Sequence, residues 1–297
     1  MKANIECKLN SREEHYVHYS PYKKKFLLHY AGQPKKTQLM GILNCTTDSF
    51  FQNSSYFEPS EAIKYGLKLI DEGADIIDIG GESTRPGSKE ISEKEEIKRV
   101  IPVIEGVRKK SNCPISIDTY KPSVADAALN AGANFLNDVT GFAHQSMRQL
   151  AKQSGVPICV MHALGPPHTN PQPIYPKGVI NEICHFFQKR IDLLLQAGVS
   201  ESQIILDPGI GGGSFGKKAE HDLQILKNIH QFHSLGFPLL IGLSRKSFIQ
   251  KILKKDASEI LSTTVALNTM AILKGVAYVR VHDVQEHHDM LKLLEHL

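Results

Sequence analysis

The chain has 297 residues, of which 41% are hydrophobic and 22% are charged, a composition typical of a folded globular protein. No apolar run approaches the roughly 18 residues that span a membrane, and we expect no secretory signal because no apolar core follows the first lysine. The formal net charge of +4 is too small to indicate nucleic-acid binding, although it suits a small anionic substrate. Five scattered cysteines without a CxxC pair favour free thiols in a reducing, cytoplasmic compartment and argue against zinc.

Residues 1–37 are polar and irregular, and we interpret them as an N-terminal extension with a short strand at 26–28. A regular alternation of apolar strands and helices follows. Strands are predicted at 39–43, 75–79, 114–117, 134–136, 157–161, 204–206, 238–241 and 277–281. Helices are predicted at 60–72, from the capping-box pattern at Ser92 onward, and at 121–131, 147–154, 179–197, 221–233 and 257–273, with one more at the end of the chain.

Eight strand-then-helix units in about 260 residues predict a (β/α)₈ TIM barrel over residues 38–297. The predicted strands are largely apolar runs, as expected for parallel strands that are buried on both faces. A doubly wound open sheet is the alternative fold, but eight successive units favour a closed barrel.

Polar residues follow the predicted strands where each strand ends. In a TIM barrel the carboxyl ends of all strands meet at one mouth, where active sites lie. A complete ring of polar side chains at one mouth indicates a ligand site. The ring consists of Asn44, Thr84, Arg85, Asp118, Asn137, His162, Asp207, Lys246, Arg280 and His282.

The ring contains two kinds of group. Asp118, Asn137 and Asp207 provide acceptors that suit a flat heterocycle with adjacent N–H groups, because a carboxylate accepts two parallel N–H bonds. The donors and cations are Arg85, Lys246, Arg280 and His282, and the loops after strands seven and eight often bind phosphate in this fold.

Structural roles remain open for several of these residues. Asp207 lies between an apolar strand and a Pro-Gly turn, and either Asp207 or Asp118 could cap the following segment instead of binding a ligand. Arg280 could form an ion pair with Asp283 or another neighbour. A histidine at the end of a strand, such as His162, could be a satisfied buried residue.

Seven motifs in order make the chain resemble the dihydropteroate synthases from about residue 39 onward. The motifs are GILNCTTDSF (41–50), GGESTRPG (80–87), SIDT (116–119), ND (137–138), LDPG (206–209), SRKS (244–247) and RVHDV (280–284). The resemblance implies a TIM barrel that condenses 6-hydroxymethyl-7,8-dihydropterin pyrophosphate with 4-aminobenzoate and releases pyrophosphate, a reaction inhibited by sulfonamides.

By the same resemblance, the site residues fall into overlapping groups. Those implied to bind the pterin are Asp118, Asn137, Val139, Met161, Asp207, Gly242 and Lys246. Those implied to border the aminobenzoate are Thr84, Arg85, Pro86 and Ser247, and those implied to hold the pyrophosphate are Asn44, Arg85, Arg280 and His282. Those implied to act in catalysis are Arg85, Asp118, Lys246, Arg280 and His282. The resemblance also implies Mg²⁺ near Asn44 and a homodimer, without a nucleic-acid or membrane partner.

The sequence departs from the family pattern in its N-terminal extension and in two loops. Thr47 stands where proline is usual, residues 51–54 replace a Ser-Asp-Gly-Gly run, and the loop at 211–217 is longer than usual. Two rival functions share the pterin acids: a pterin-binding methyltransferase and a non-catalytic pterin-binding paralogue. The cations Arg85, Arg280 and His282 argue against the methyltransferase, and the intact ring argues against the paralogue.

Overall fold

The computed structural model describes residues 37–46, 58–83, 88–165, 168–169, 171–211 and 215–296. The strands are β1 (Gln38–Asn44), β2 (Ile76–Gly80), β3 (Ile115–Asp118), β4 (Phe135–Asp138), β5 (Ile158–Met161), β6 (Ile204–Asp207), β7 (Leu240–Ile241) and β8 (Tyr278–Val281). The α-helices are α1 (Pro59–Asp71), α2 (Glu93–Arg108), α3 (Pro122–Asn130), α4 (Gln145–Ser154), α5 (Val179–Gln196), α6 (Ala219–Lys227), α7 (Ile229–Phe232), α8 (Ser247–Leu253), α9 (Leu261–Leu273) and α10 (Val284–Leu294). Within these ranges no helix is both long and apolar enough to cross a membrane.

The strands form one parallel sheet that curls into a barrel. Pairing runs from β1 to β6 in chain order, and β8 pairs with both β1 and β7. A bridge between Leu206 and Leu239 joins β6 to the segment leading into β7, where the Leu206 amide donates to Pro238 O at 2.9 Å. The predicted TIM barrel is confirmed, and the open sheet is excluded.

Two hydrophobic clusters follow from the two faces of the strands. Successive side chains on a strand point to opposite faces, so alternate residues line the barrel interior. The outer cluster packs the sheet against the helices. The smaller inner cluster fills the barrel and consists of Met40, Ile76, Phe135, Cys159, Ile205 and Leu240, with Tyr278 packed against it.

In the last third of the chain the final predicted helix is confirmed as α10, but the bounds of two other helices were wrong and one helix was missed. The helix predicted at 257–273 begins only at Leu261, because a 3₁₀ turn occupies Ala257–Glu259 and Ile260 leaves helical geometry at φ −106° and ψ 14°. Helix α8 was not predicted, and the helix predicted at 221–233 is interrupted at Asn228. The predicted extension (1–37) and its strand lie outside the described residues apart from residue 37.

Candidate active site

A cavity of about 870 Å³ opens at the carboxyl ends of the strands. Eleven of the predicted site residues line it: Asn44, Asp118, Asn137, Val139, Met161, Asp207, Gly242, Lys246, Ser247, Arg280 and His282. The predictions for Thr84, Arg85 and Pro86 fall outside the described residues. His162 does not line the cavity. The strand ends therefore converge as the sequence predicts.

The polar floor of the cavity lies two residues beyond the inner apolar cluster on the same strands. The step of two keeps side chains on the interior face while moving them toward the mouth. Ser116 and Tyr278 occupy the level of the inner cluster on β3 and β8. Two residues further along the eight strands lie Ile42, Asp78, Asp118, Asn137, Met161, Asp207, Gly242 and Arg280. All of these except Asp78 line the cavity, and Asp78 is completely buried beneath it.

Arg280 is the centre of this polar layer. Its Nε donates to Asp78 Oδ2 at 2.5 Å, and its Nη2 donates to Asp118 Oδ2 at 2.8 Å. Asn137 Nδ2 also donates to Asp78 Oδ2, at 3.2 Å. Burial alone would lower the pKa of Arg280, but the carboxylates of Asp78 and Asp118 raise it above its ordinary value. One guanidinium therefore ties together strands β2, β3 and β8.

The sequence left open whether Arg280 is part of a structural ion pair or of the site. It forms ion pairs with neighbours and it lines the cavity. Asp283 is not its partner, because Asp283 pairs with Arg245 at 2.6 Å. Burial raises the pKa of Asp118 to about 7, although Arg280 opposes the shift. Arg280 thus pairs with the acid at the end of β3 and also faces the cavity.

Asp207 stabilises the turn that follows it and also lines the cavity. Its Oδ1 accepts from the Gly209 amide at 2.7 Å, which stabilises the turn after β6, and its carboxylate also lines the cavity. Burial raises the pKa of Asp207, while the Gly209 amide and the cation of Lys246 oppose that shift. Gly209 itself has φ 69°, and a Cβ there would lie 2.2 Å from His162 O, so the turn requires glycine.

His162 is a satisfied buried residue, as one of the two interpretations held. It is 1% exposed, and its Nδ1 lies 2.8 Å from Lys217 Nζ, which also donates to His162 O at 3.0 Å. Burial, reinforced by the Lys217 charge, holds the pKa of His162 well below its usual range. Neutral His162 therefore accepts through Nδ1 and anchors the loop after β6.

Lys246 and His282 reach the mouth from the loops after β7 and β8. Lys246 precedes α8, and burial lowers its pKa against the opposing influence of Asp207. His282 Nδ1 lies 3.0 Å from Ser244 Oγ, and the His282 amide donates to the same hydroxyl at 3.2 Å. Ser244 thus orients the histidine ring from the neighbouring loop.

Sequence reasoning missed several residues around the cavity. Asp78 lies in the middle of the apolar strand β2 and not at its end. A charged residue within an apolar strand was the signal that could have marked Asp78 as part of the polar layer. Phe215 and Glu82 also line the cavity. Phe215 has φ 57°, unusual for a bulky residue, and lies in the loop treated only as a longer variant. Nothing in the sequence pattern distinguishes it from a surface loop residue.

Comparisons with known proteins identify the family of the chain. The family model described as "Pterin binding enzyme" matches residues 40–282. The dihydropteroate synthase of Haemophilus influenzae is 41% identical over 256 residues, which are 86% of this chain and 92% of the relative. That of Bacillus subtilis is 42% identical over 262 residues, or 88% of each chain.

Solved structures of dihydropteroate synthases have the same fold. The Xanthomonas albilineans enzyme with 4-aminobenzoic acid superposes with a TM-score of 0.82 at 35% identity, over 88% of this chain and 93% of that one. The Yersinia pestis enzyme in a sulfonamide drug complex also gives 0.82 at 35% identity, over 89% and 95%. The chain belongs to the pterin-binding enzymes and, among them, to the dihydropteroate synthases.

Proposed function

We propose that the cavity at the barrel mouth is where the chain joins 6-hydroxymethyl-7,8-dihydropterin pyrophosphate to 4-aminobenzoate. The observation that carries this assignment is the placement of acceptors and cations in one cavity. Asp118 and Asp207 line it together with Lys246, Arg280 and His282. A ligand with a hydrogen-bonding heterocycle and a phosphorylated arm satisfies both sets at once.

The pterin occupies the floor. Asp118, Asn137 and Asp207 present oxygen acceptors to its N–H groups, and Asn137 can also donate from its amide. Val139 and Met161 are buried and supply apolar contact for the ring faces. The small Gly242 leaves room at the end of β7, since among the described residues a Cβ there would have Arg280 Cβ as its nearest neighbour, at 3.8 Å. Lys246 lies beside this floor.

The pyrophosphate lies above Arg280 and His282. Arginine has five N–H donors, and two of them contact Asp78 and Asp118 in the described residues, so three remain for phosphate oxygens. Arg85 joins this group by resemblance. These donors stabilise the negative charge that develops as the leaving group departs.

The reaction exchanges one bond for another. The bond between the pterin methylene carbon and the bridging phosphate oxygen breaks, and its electron pair leaves with pyrophosphate. The amine nitrogen of aminobenzoate donates its lone pair to that carbon and then loses a proton to solvent. Because an aryl amine is neutral near pH 7, the step needs no strong general base. By resemblance, the residues that border the aminobenzoate are Thr84, Arg85, Pro86 and Ser247.

Asn44 is a suitable ligand for Mg²⁺ in this arrangement. It lines the cavity and offers a hard amide oxygen at the end of β1. Mg²⁺ commonly keeps several waters and binds through few protein groups together with substrate phosphates. When bound, Mg²⁺ would neutralise charge on the pyrophosphate.

A direct test measures both products. We expect release of pyrophosphate and formation of dihydropteroate only when both substrates are present. Equal pyrophosphate release without aminobenzoate would indicate a hydrolase, and tight pterin binding without turnover would indicate a non-catalytic paralogue. Omitting Mg²⁺ should weaken binding of the pterin pyrophosphate but not that of pterin lacking the pyrophosphate.

A homodimer is supported by apolar side chains on the last helices. Helices α9 and α10 pack against each other. Met270 and Leu273 of α9 are 55% and 72% exposed, and Leu293 of α10 is 65% exposed. A second copy would cover them. Sedimentation of Leu273→Glu should show monomers if this face is the interface, whereas an unchanged species would place the contact elsewhere.

A cytoplasmic setting is supported by the state of the thiols. Cys45, Cys113, Cys159 and Cys184 are free in the described part of the chain. Burial raises the pKa of the Cys113 and Cys184 thiols to about 11, so both remain protonated and unreactive near neutral pH.

A further inference from the structure

Lys217 is buried behind the turn that follows β6 and lies outside the cavity lining. Its Nζ lies 2.8 Å from His162 Nδ1 and donates to His162 O at 3.0 Å. An ammonium group is costly to bury unless several groups accept its protons and oppose its charge. None of the steps of the proposed reaction uses this cation, although it acts electrostatically on Asp207, the acid at the end of β6.

The contacts of Lys217 form a closed ring with Asp207. His162, which Lys217 holds by its ring and its carbonyl, donates its amide proton to Asp207 O at 2.8 Å. Gly209 donates its amide proton to Asp207 Oδ1 at 2.7 Å. A Cβ at Gly209 would lie 2.2 Å from His162 O and 3.1 Å from Lys217 Nζ, so the turn packs directly on both. Each member of the ring therefore limits how the Asp207 carboxylate can turn.

Asp222 fixes the far side of the same turn. It is completely buried, and its Oδ1 accepts from the Gly211 amide at 3.1 Å. Burial lowers the pKa of Lys217, and the carboxylates of Asp222 and Asp207 oppose that shift. Gly211 and Ile210 line the cavity. The buried cation is thus the counter-charge of two acids that both bind backbone amides of the turn after β6.

Asp207 has cations on both sides. Lys246 lines the cavity, whereas Lys217 lies on the buried side of the turn. Burial raises the pKa of Asp207, and the Gly209 amide opposes this shift. The cations that also oppose it are Lys246, Lys217 and Arg280. A substrate that fills the cavity competes for Lys246 and Arg280 but does not reach Lys217. Lys217 is therefore the cation that stays with Asp207 when the cavity is occupied.

Other titratable groups around this cluster carry no charge at pH 7. Burial holds the pKa of the Cys159 thiol well above its usual range and that of His162 well below it. Burial also raises the pKa of Tyr175 and lowers that of His221. The positive charge on the buried side of Asp207 therefore comes from Lys217.

We propose that Lys217 is a positioning residue that keeps the Asp207 carboxylate ionised and oriented toward the pterin, from the side that the substrate does not occupy. The inference rests on the proposed function, which assigns Asp207 to the N–H groups of the pterin. An ionised carboxylate accepts two parallel N–H bonds, whereas a protonated carboxyl group turns one oxygen into a donor. Without Lys217, Asp207 gains its proton at a higher pH and loses the pterin there.

The experiment replaces Lys217 with methionine, which has a similar length but neither charge nor proton to donate. Lys218→Met is the matched control, because Lys218 is the exposed neighbour in the sequence. Burial lowers the pKa of Lys217 to about 7, so affinities are compared at about pH 6, where the amine is protonated. The ligands are the pterin pyrophosphate and 6-hydroxymethyl-7,8-dihydropterin, which lacks the anionic arm. We expect Lys217→Met to weaken both about tenfold and Lys218→Met to change neither.

Equal weakening of the two ligands distinguishes positioning of Asp207 from general attraction of an anion. Weaker binding of the pyrophosphate alone would mean that Lys217 attracts the anionic arm, and it would overturn the inference. The KM for aminobenzoate should not change. Affinity for the uncharged pterin should fall with decreasing pH as Asp207 is protonated, and in Lys217→Met this fall should begin at a higher pH. A profile at the wild-type position would also overturn the inference.

A double variant tests whether Lys217 acts through Asp207. In the Asp207→Asn background, Lys217→Met should weaken pterin binding less than about twofold, because no carboxylate remains to be positioned. A tenfold loss in both backgrounds would place the effect elsewhere and overturn the inference.

Melting curves ensure that each variant is folded at the temperature of the binding measurement. Lys217→Gln, which keeps an N–H donor for His162 but no charge, replaces the methionine variant in every comparison if that variant does not fold. A wild type that binds neither ligand would overturn the proposed function. Normal binding by the wild type with unchanged affinity in Lys217→Met would overturn only the inference, so the two failures are distinguishable.

Discussion

Two layers of side chains fill the barrel, one directly above the other on the same strands. The lower layer contains Phe135 and Leu240 and is apolar and buried. The upper layer, two residues further along, contains Asp78, Asp207 and Arg280. The difference shows that a shift of one strand period separates the apolar layer that stabilises the fold from the polar layer at the cavity.

The upper layer is stable only because its charges are paired. Asp78 is 0% exposed, and its Oδ1 has no hydrogen-bond partner among the described residues, so its charge depends on the bonds to Oδ2. Arg280 and Asn137 supply those bonds. Arg280 thus serves the fold and the site together, whereas each residue of the lower layer serves the fold alone.

Replacing Arg280 should therefore have the largest effect. We expect Arg280→Ala to abolish measurable turnover and to lower the free energy of unfolding by about 3–5 kcal/mol, because Asp78 would remain buried without its cation. Arg280→Lys should retain part of the stability but little activity, since lysine cannot reproduce the fork of donors to phosphate. Steady-state kinetics and denaturant unfolding measure the two effects.

A double variant separates the two roles of Arg280. In Arg280→Ala, the additional change Asp78→Asn removes the unpaired charge and should recover much of the lost stability without recovering activity. Recovery of activity in the double variant would remove Arg280 from the catalytic site. No recovery of stability would show that the ion pair does not hold the layer.

Phe135→Ala tests the lower layer. The ring is 3% exposed and makes an edge-to-face contact with Tyr278 at 6.5 Å between centroids. Truncation should cost about 3–5 kcal/mol of stability through lost burial and a cavity. The protein that remains folded should bind both substrates as the wild type does. A specific loss of pterin affinity at temperatures well below unfolding would contradict the separation of the layers.

Asp207→Asn probes the upper layer with little change in shape. Asparagine can still accept from the Gly209 amide, so the turn after β6 should survive and the melting temperature should be maintained. Loss of a charge-assisted pair to pterin N–H groups should weaken pterin binding by about 2–4 kcal/mol. Calorimetry with the pterin pyrophosphate measures this. A large fall in melting temperature with unchanged affinity would make Asp207 a structural cap only.

The position of the site could be predicted from the sequence because barrel topology converts chain order into spatial order. Asp118, Asn137 and Asp207 each follow an apolar strand, and parallel strands bring such ends together. The pairing of Arg280 could not be predicted, because its partners Asp78 and Asp118 lie 202 and 162 residues away along the chain. Asp283, three residues away, was the obvious candidate and pairs elsewhere.

Local signals were also insufficient in the later helices. The 257–273 segment has the pattern of one continuous helix, but a 3₁₀ turn occupies its first residues and α9 begins after it. The preceding helix, α8, ends at Lys254, which lies in the left-handed region at φ 55°. Lys217 shows the same limitation: it follows a glycine-rich run typical of an exposed loop, yet it is 2% exposed.

Lys217 allows the most specific prediction. Burial lowers its pKa to about 7 in the folded protein, from about 10.5 in an unfolded chain, although the carboxylates of Asp222 and Asp207 oppose the shift. Between these values the unfolded chain binds more protons than the folded one, so the Lys217 contribution to stability rises with pH.

Lys217→Met removes the titrating amine while keeping an unbranched side chain of similar length. The stability of the wild type relative to Lys217→Met should therefore increase between pH 7 and pH 9.5, by at most about 1.4 kcal/mol per pH unit. Well below pH 7 the difference should be constant, because Lys217 is protonated in both states. Urea unfolding of the two proteins at several pH values measures the slope. A difference independent of pH above 7 would mean that Lys217 keeps its proton in the folded protein, with His162 and the nearby acids compensating for its burial.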